Sequence, residues 1–304
     1  MDLVLILVNQ VLIMYILMFI GYMAYKRKLL SDQGTRDLGK ILLNIAIPIV
    51  VISNFCVEKT PEKTGELLSS IMISAVCMAI SIIVAYLFFH KRDRIAEFAG
   101  AFSNAGFIGI PLVQATFGEH AVFYISMMIV LVNLLQWTYG VYTITDEKKY
   151  INLKAVAKNP IVVSVLIGLI IYFSGIRMPS IAGRLFTIIG NLNTPLAMLV
   201  SGVYLAQSNL LDMLKKKDVY YVCFVRLIVV PLAIMMIFRF LPFGNTTIKM
   251  AILLAGACPV GSNVAIFAQQ YDKDYKKGIE YVCVSTILSI LSLPLVMLAA
   301  NYIL

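Results

Sequence analysis

Residues 102–112 read FSNAGFIGIPL and stand in the middle of an apolar segment that is long enough to cross a membrane. Glycine permits an unwound backbone, and proline fits the first turn of a new helix because it has no N–H group. A second stretch, ACPVGSN at 257–263, interrupts another apolar segment in the same manner. Each stretch therefore predicts a broken helix, whose second half begins near Pro111 in one segment and near Pro259 in the other.

The composition around these stretches is that of a membrane protein. Of the 304 residues, 61% are hydrophobic and 13% are charged, whereas about a quarter of a soluble domain is charged. The net charge of +9 is spread over many short loops, which argues against a nucleic-acid-binding face. Apolar runs predict ten transmembrane helices at 3–25, 37–57, 67–89, 95–117, 121–144, 159–176, 181–207, 219–240, 247–270 and 279–303.

The basic residues alternate between the two ends of these helices. With an extracytoplasmic N-terminus, 18 of the 25 basic residues fall on the cytoplasmic side and six on the opposite side. The six are Lys59, Lys63, Arg177, Arg184, Arg239 and Lys249. Because cytoplasmic loops are enriched in Lys and Arg, we expect a multi-pass protein of the cell membrane (plasma or inner membrane) with both termini extracytoplasmic.

Two pairs of motifs recur at a constant separation, which indicates an internal repeat. NIAIP at 44–48 and NLNTP at 191–195 lie 147 residues apart, and Pro259 follows Pro111 by 148 residues (259 − 111). Paired interruptions in the two halves of a membrane protein point to a transporter site near the bilayer midplane. Because each half has five helices, the second half must be inverted.

These patterns predict an all-α polytopic membrane protein of two inverted five-helix repeats, in which the broken helices four and nine cross. The first repeat is assigned to 1–145 and the second to 159–304. A short cytoplasmic linker at 146–158 joins them.

The helix breaks are the predicted substrate site. Each new helix start offers free N–H groups and about half a positive charge, so two starts meeting at the bilayer centre favour an anion. Arg226, deep in an apolar run, could contact the anion, bind unwound carbonyl groups or extend to the cytoplasmic surface. Asn133 and Gln136 are further candidates, although hydrogen bonds between packed helices explain them equally well. The assigned residues are Asn44, Asn104, Gly106, Gly109, Pro111, Arg226, Cys258, Pro259, Gly261, Ser262 and Asn263.

The sequence lacks the residue patterns that several kinds of chemistry require. None of the 16 acidic residues lies near a helix centre; Glu97 and Glu280 come closest, at cytoplasmic helix ends. His90 and His120 also lie at helix ends, where we expect them to be solvated. There is no phosphate loop of the complete form G-x-x-x-x-G-K-[ST], no nucleophile–base pair and no metal-ligand spacing among the five cysteines. We therefore expect no enzyme, no cofactor and no metal site.

With NIAIP before it and the Pro259 break after it, the stretch 103–112 resembles the auxin efflux carrier family. That family includes plant PIN-type exporters and short bacterial malate or malonate permease-like proteins, and the resemblance covers essentially the whole chain. It implies two inverted repeats whose fourth and ninth helices cross at their prolines. It also implies export or exchange of an organic anion by an elevator-like movement, on a scaffold of helices one, two, six and seven that often forms a homodimer.

By position, Pro111 and Pro259 match the crossover of the family, and Asn104 and Asn263 match its flanking polar residues. The chain departs from PIN-type exporters, which often have a long cytoplasmic loop where this chain has only residues 145–159. That departure favours a short bacterial-type carrier and argues against auxin itself as the substrate.

The function predicted is a secondary transporter that exports or exchanges a small organic anion, such as a carboxylate, by alternating access. Two alternatives stay open: a sodium- or proton-coupled organic-anion symporter of related fold, and a receptor or sensor that kept a transporter fold. The expected partners are the anion, membrane lipid and a second copy of the chain, and no nucleic acid.

Overall fold

The computed structural model describes residues 2–151, 153–176, 178–208 and 210–304, and its secondary structure is helical. Seven helices in these residues are long and apolar enough to cross a membrane, and shorter apolar helices occupy the fourth, sixth and ninth predicted segments. The described residues form no named strand; one isolated bridge joins Ser103 to Val260. This is the architecture of a polytopic membrane protein. Arg177, which the charge count assigns to the outer side, lies outside the described residues.

The helices are numbered in chain order, and short π-helical or 3₁₀ turns are included in the helix that contains them. They are α1 (Asp2–Lys26), α2 (Asp32–Phe55), α3 (Pro61–Phe89), α4 (Arg94–Ala101), α5 (Ala105–Phe117), α6 (Glu119–Thr145), α7 (Leu153–Ala157), α8 (Pro160–Ser174), α9 (Ser180–Gln207), α10 (Leu210–Met213), α11 (Lys217–Phe240), α12 (Thr246–Ala257), α13 (Asn263–Gln270) and α14 (Tyr275–Ile303). The fourth predicted segment thus holds α4 and α5, and the ninth holds α12 and α13.

Polar residues in the predicted turns begin several of the helices. The Thr60 side chain accepts a hydrogen bond from Lys63 N at 3.1 Å at the start of α3. The Asp93 carboxylate accepts one from Ala96 N at 3.0 Å at the start of α4. Such a cap satisfies one of the N–H groups that helix geometry leaves free. The turns before α3 and α4, which the sequence predicts from their charged residues, therefore also begin helices.

Three interior prolines follow π-helical turns rather than breaks. The turns span Leu42–Ala46, Ala105–Gly109 and Val225–Val229, and a proline stands two residues after each of them. Proline cannot donate to the carbonyl four residues earlier, and a wider turn accommodates the carbonyl that is left without its partner. Pro111 therefore lies inside α5, and the prediction that a half-helix begins there is wrong.

The actual breaks are two short unwound segments, residues 102–104 between α4 and α5, and residues 258–262 between α12 and α13. Pro259 lies within the second segment, and α13 begins four residues later, at Asn263. The prediction that a half-helix begins near Pro259 is therefore also wrong. Because Pro111 lies in a helix and Pro259 in a break, the two prolines do not occupy equivalent positions.

Glycines let two pairs of helices approach closely. A Cβ atom on Gly202 of α9 would stand only 1.9 Å from the Met18 oxygen of α1. One on Gly168 of α8 would stand 2.5 Å from the Phe55 ring of α2. Lipid tails are as apolar as the helix surfaces, so the hydrophobic effect does not drive membrane helices together. Close backbone packing at small residues holds such pairs together instead. The pairs α1–α9 and α2–α8 are therefore tightly packed units.

Candidate functional site

The two unwound segments cross and hydrogen-bond to each other; we call this place the crossing. Asn104 N donates to Pro259 O at 2.8 Å, and Gly261 N donates to Phe102 O at 3.0 Å. The approach is so close that a Cβ atom on Gly261 would stand 3.1 Å from Ser103 O. Lipid offers no partner to free backbone groups, so unwound backbone is tolerated only where the protein itself provides the bonds. At the crossing each segment provides them for the other.

Arg226 of α11 is 0% exposed and binds backbone carbonyls around the crossing. Its Nε donates to Cys258 O and its Nη1 to Gly100 O, both at 3.1 Å, and its Nη2 donates to Gly256 O. Gly100 and Gly256 lie in the last turns of α4 and α12, where carbonyls carry the negative end of the helix dipole. Of the roles that the sequence left open for Arg226, this geometry matches that of a hydrogen-bond donor to backbone carbonyls.

Two helices begin directly after the crossing. Asn104 precedes α5, and its Oδ1 accepts a hydrogen bond from Phe107 N at 3.4 Å. Ser262 directly precedes α13. The first N–H groups of a helix have no partner within it and carry the positive end of its dipole. The crossing therefore joins the carbonyl ends of α4 and α12, which Arg226 binds, to the positive N-terminal ends of α5 and α13.

A cavity of about 230 Å³ adjoins both helix starts, and we call it the crossing cavity. Apolar rings of Phe107, Trp137 and Phe267 form part of its wall. Its uncharged polar lining consists of Asn44, Ser103, Asn104, Asn133, Gln136, Asn159, Ser262, Asn263 and Gln270. No lining residue in the described ranges is charged. A ligand here meets amides, hydroxyls and two helix dipoles.

Hydrogen bonds between helices hold part of this polar lining in place. Asn263 Nδ2 donates to Gln136 Oε1 at 2.7 Å, which joins α13 to α6. Asn159 Nδ2 donates to Asn133 Oδ1 at 3.1 Å, which joins the start of α8 to α6. The hydroxyl of Ser103 is different, because this residue is 4% exposed and its Oγ has no hydrogen-bond partner. A buried hydroxyl without a partner is available to a ligand.

The structure brings together about half of the predicted substrate residues. Those that line the crossing cavity are Asn44, Asn104, Gly106, Gly261, Ser262 and Asn263. Those that do not are Gly109, Pro111, Arg226, Cys258 and Pro259. A Cβ atom on Gly109 would stand 3.5 Å from Ala255 Cα, so this glycine faces α12 instead. The Cys258 thiol is fully buried and donates to Leu254 O at 3.4 Å.

Other lining residues carried no usable signal in the sequence. Ser103 stood in the quoted stretch without being assigned, and Trp137 and Gln270 stand in ordinary apolar segments. Asn159 caps α8 by accepting a hydrogen bond from Ile161 N at 2.9 Å, and an Asn-Pro pair at a helix start signals only that cap. Their positions at the cavity depend on how α6, α8 and α13 pack.

Two carboxylates that the sequence placed at helix ends, Glu97 and Glu280, are buried. Glu97 of α4 is 3% exposed, and Tyr139 Oη donates to its Oε1 at 2.6 Å. His90 Nδ1 lies 3.2 Å from the Glu97 Oε2. The prediction that His90 is merely solvated is therefore wrong. Neither Glu97 nor His90 lines the crossing cavity.

Comparison with known proteins gives relatives over nearly the full length. The chain is 24% identical to YfdV, an uncharacterized transporter of Escherichia coli K12, over 95% of this chain and 96% of that protein. It is 26% identical to an uncharacterized transporter of Methanothermobacter thermautotrophicus, over 94% of this chain and 96% of the relative. It is 23% identical to a Rhizobium meliloti protein named "Putative malonate transporter", over 90% and 89%.

The family of membrane transport proteins matches residues 6–297, which is almost the whole chain. This agrees with the resemblance that residues 103–112 indicated. The chain therefore belongs to the membrane transport protein family, that of the auxin efflux carriers.

Proposed function

We propose that the chain is a secondary transporter that exports or exchanges a small organic anion, such as a carboxylate, by alternating access. The observation that carries this proposal is the crossing, where two helix starts adjoin a cavity lined by uncharged polar side chains. Each helix N-terminus is equivalent to about half a positive charge, so the two together match roughly one negative charge. The carbonyl ends of α4 and α12, which would favour a cation, are occupied by Arg226.

The lining supplies the hydrogen bonds that a carboxylate needs. Such an anion can accept bonds from the first N–H groups of α5, from the free Ser103 hydroxyl and from the amides of Asn104 and Asn263. The name of the Rhizobium meliloti relative, which refers to malonate, supports the same substrate class. Coupling to an ion is a separate question, and the lining contains no carboxylate in the described residues that would coordinate sodium.

We further propose that the chain crosses the membrane ten times, as inverted repeats 1–145 and 159–304 around the linker 146–158, with both termini outside the cytoplasm. The alternation of basic residues supports this topology. The shorter helices support it as well, because α4 with α5, and α12 with α13, together occupy one segment each of spanning length. The closely packed α1–α9 and α2–α8 pairs suit a scaffold against which the crossing moves, and through which two copies pair.

Transport of radiolabelled malonate into proteoliposomes tests the proposal. We expect counterflow of malonate with purified protein, and loss of that flux in Asn104→Asp. Asp and Ser both cap helices well, so Asn104→Asp keeps the cap but adds a negative charge beside the anion, whereas Asn104→Ser keeps the site neutral. Asn104→Ser is the matched control and should retain flux.

Two results would contradict the proposal at different levels. If neither malonate nor other small carboxylates move while a known permease is active in parallel liposomes, the chain is not a carboxylate transporter. If Asn104→Asp transports as well as Asn104→Ser, transport occurs but the crossing cavity is not its site.

A further inference from the structure

Glu97 is a buried carboxylate held by two titratable side chains. It is 3% exposed and contacts Tyr139 Oη at 2.6 Å and His90 Nδ1 at 3.2 Å. His90 follows α3 and keeps 29% of its side chain exposed, so its ring connects the carboxylate with solvent. Ionisable groups within membrane helices are costly to keep and mark functional sites by default.

The charged groups next to Glu97 in the sequence are bound elsewhere. Asp93 pairs with Lys277 of α14 at 2.6 Å and accepts a hydrogen bond from Tyr281 of the same helix at 2.9 Å. Arg94 pairs at 2.6 Å with Asp146, which follows α6. Neither residue therefore neutralises the buried carboxylate.

The neighbouring helices add no further partner for it. From α11, Asp218 lies 3.8 Å from Lys277, and Arg226 is bound to the carbonyls of the crossing. From α3, Tyr86 stacks on the His90 ring with centroids 4.0 Å apart. The sequence of α13, NVAIFAQQ, contains no titratable residue. In the described residues the Glu97 carboxylate therefore has His90 and Tyr139 as its titratable contacts.

We propose that the His90–Glu97 pair binds one proton and that this proton is coupled to anion binding in the crossing cavity. The coupling rests on the proposed function. One added proton takes the pair from a net charge of −1 to 0, whichever of the two side chains holds it. The proton enters and leaves through the exposed imidazole.

Two features connect the pair with the crossing cavity. Tyr139 belongs to the π-helical turn Gln136–Gly140, and the Gln136 of that turn accepts from Asn263 and lines the cavity. Such turns are frequent at functional sites. Ser103, also in the lining, follows Glu97 by six residues, four of them in α4 and two unwound, so the two residues are on the order of 10 Å apart. The pair therefore stands close enough to act on a bound anion.

Charge repulsion sets the direction of the coupling. At an effective dielectric constant of about 20, one negative charge at this separation weakens the binding of a monoanion about 20-fold. Protonation of the pair removes that repulsion, so the proton and the anion favour each other. By linkage, anion binding must draw a proton onto the pair to the same degree.

Calorimetric binding of pyruvate and malonate to the purified full chain tests this coupling. Between about pH 6 and pH 8 pyruvate stays a monoanion, and an ordinary imidazole changes its charge in this range. We expect wild-type affinity to fall by up to about 20-fold as the pH rises. Titrations in two buffers of different ionisation enthalpy should show uptake of up to one proton per anion.

The double variant His90→Gln/Glu97→Gln has no titratable group at the pair, so it should bind the anion equally well at every pH, without proton uptake. Glu66→Gln is the matched control. Glu66 likewise accepts from a tyrosine, Tyr124 at 3.0 Å, and from Asn245 at 3.2 Å, but it lacks a histidine partner. It should keep the pH dependence of the wild type.

The outcomes separate this inference from the proposed function. Wild-type protein that binds a carboxylate with the same affinity at every pH and takes up no proton overturns the coupling alone. Proton uptake that persists in the double variant also overturns it. Failure to bind either probe defeats both proposals. The proton count on wild-type protein requires no variant, so the test holds even if the double variant does not fold.

Discussion

Replacing Arg226 by methionine removes the three donors that bind the carbonyls of Gly100, Gly256 and Cys258. Methionine is long, flexible and apolar, so it fills much of the same volume without offering a hydrogen bond. The three carbonyls are then left inside the protein, where no lipid or bulk water reaches them. We expect the crossing to keep its two backbone hydrogen bonds and the bond from Val260 N to Ser285 Oγ at 3.1 Å.

The expected loss follows from those three bonds. Interhelical hydrogen bonds in membrane proteins contribute about 0.6 kcal/mol on average and about 1.7 kcal/mol at most. Three of them therefore predict a loss of about 2 to 5 kcal/mol in the free energy of unfolding. Removing the buried charge offsets part of this loss, because an ion out of water carries a desolvation cost.

Arg239→Met is the matched control for this change. Arg239 lies on the same helix, α11, but it is exposed and donates to a single carbonyl, Ile303 O, at 3.0 Å. The stability of both variants is measured in a mild detergent, by thermal aggregation without the use of tryptophan fluorescence and by denaturant titration. Arg226→Lys keeps the charge but not the fork of donors, so it should fall between them. Equal stability of Arg226→Met and Arg239→Met would refute the assignment of Arg226 to the crossing.

Three further substitutions test the geometry of the site and of the fold. Gly106→Leu should leave the chain folded but abolish carboxylate-induced thermal stabilisation, because a Cβ atom there meets open space that faces the cavity. Gly65→Leu, also in open space, is the control. Thermal stabilisation by a carboxylate that survives Gly106→Leu would contradict the crossing cavity as the binding site. Gly261→Ala should cost about 1–3 kcal/mol of stability through overpacking, measured by denaturant titration, since its Cβ atom would press on a backbone oxygen 3.1 Å away. Gly202→Ala should cost more, or prevent folding, because its Cβ atom would stand 1.9 Å from Met18 O; a stable Gly202→Ala protein would show that α1 and α9 do not pack as described.

The proline pattern shows how far sequence reasoning reached at the breaks. It predicted correctly that two apolar segments are interrupted, because glycine and proline inside such runs are locally unfavourable to a continuous helix. It placed the start of α5 six residues too late, because proline has a second solution. A π-helical turn two residues upstream, as in Ala105–Gly109, keeps the helix intact around Pro111. Choosing between a break and a turn requires the partner segment.

Arg226 and Glu97 illustrate the same limit for charges. Their chemistry was visible in the sequence, and Arg226 was recognised as a buried cation with several open roles. Which role it takes depends on the carbonyls of Gly100 in α4 and Gly256 in α12, which lie 126 and 30 positions away in the chain. Glu97 stands near a helix end in the sequence, and only the fold shows that it is buried there, with Tyr139 and His90 against its two carboxylate oxygens.

The sequence by itself determined that the protein lies in lipid, that it is built of apolar helices, and to which family it belongs. Hydrophobic runs, charge alternation and the FSNAGFIGIPL stretch are local properties, and local properties can be read without knowing which segments meet. What only the tertiary structure decided is the crossing itself: that residues 102–104 pair with 258–262, that Arg226 faces carbonyls, and that two helix starts share one cavity. These contacts join residues that are between 30 and 159 positions apart (261 − 102 = 159 at most), and in lipid they depend on close packing and satisfied backbone groups, which periodicity does not encode.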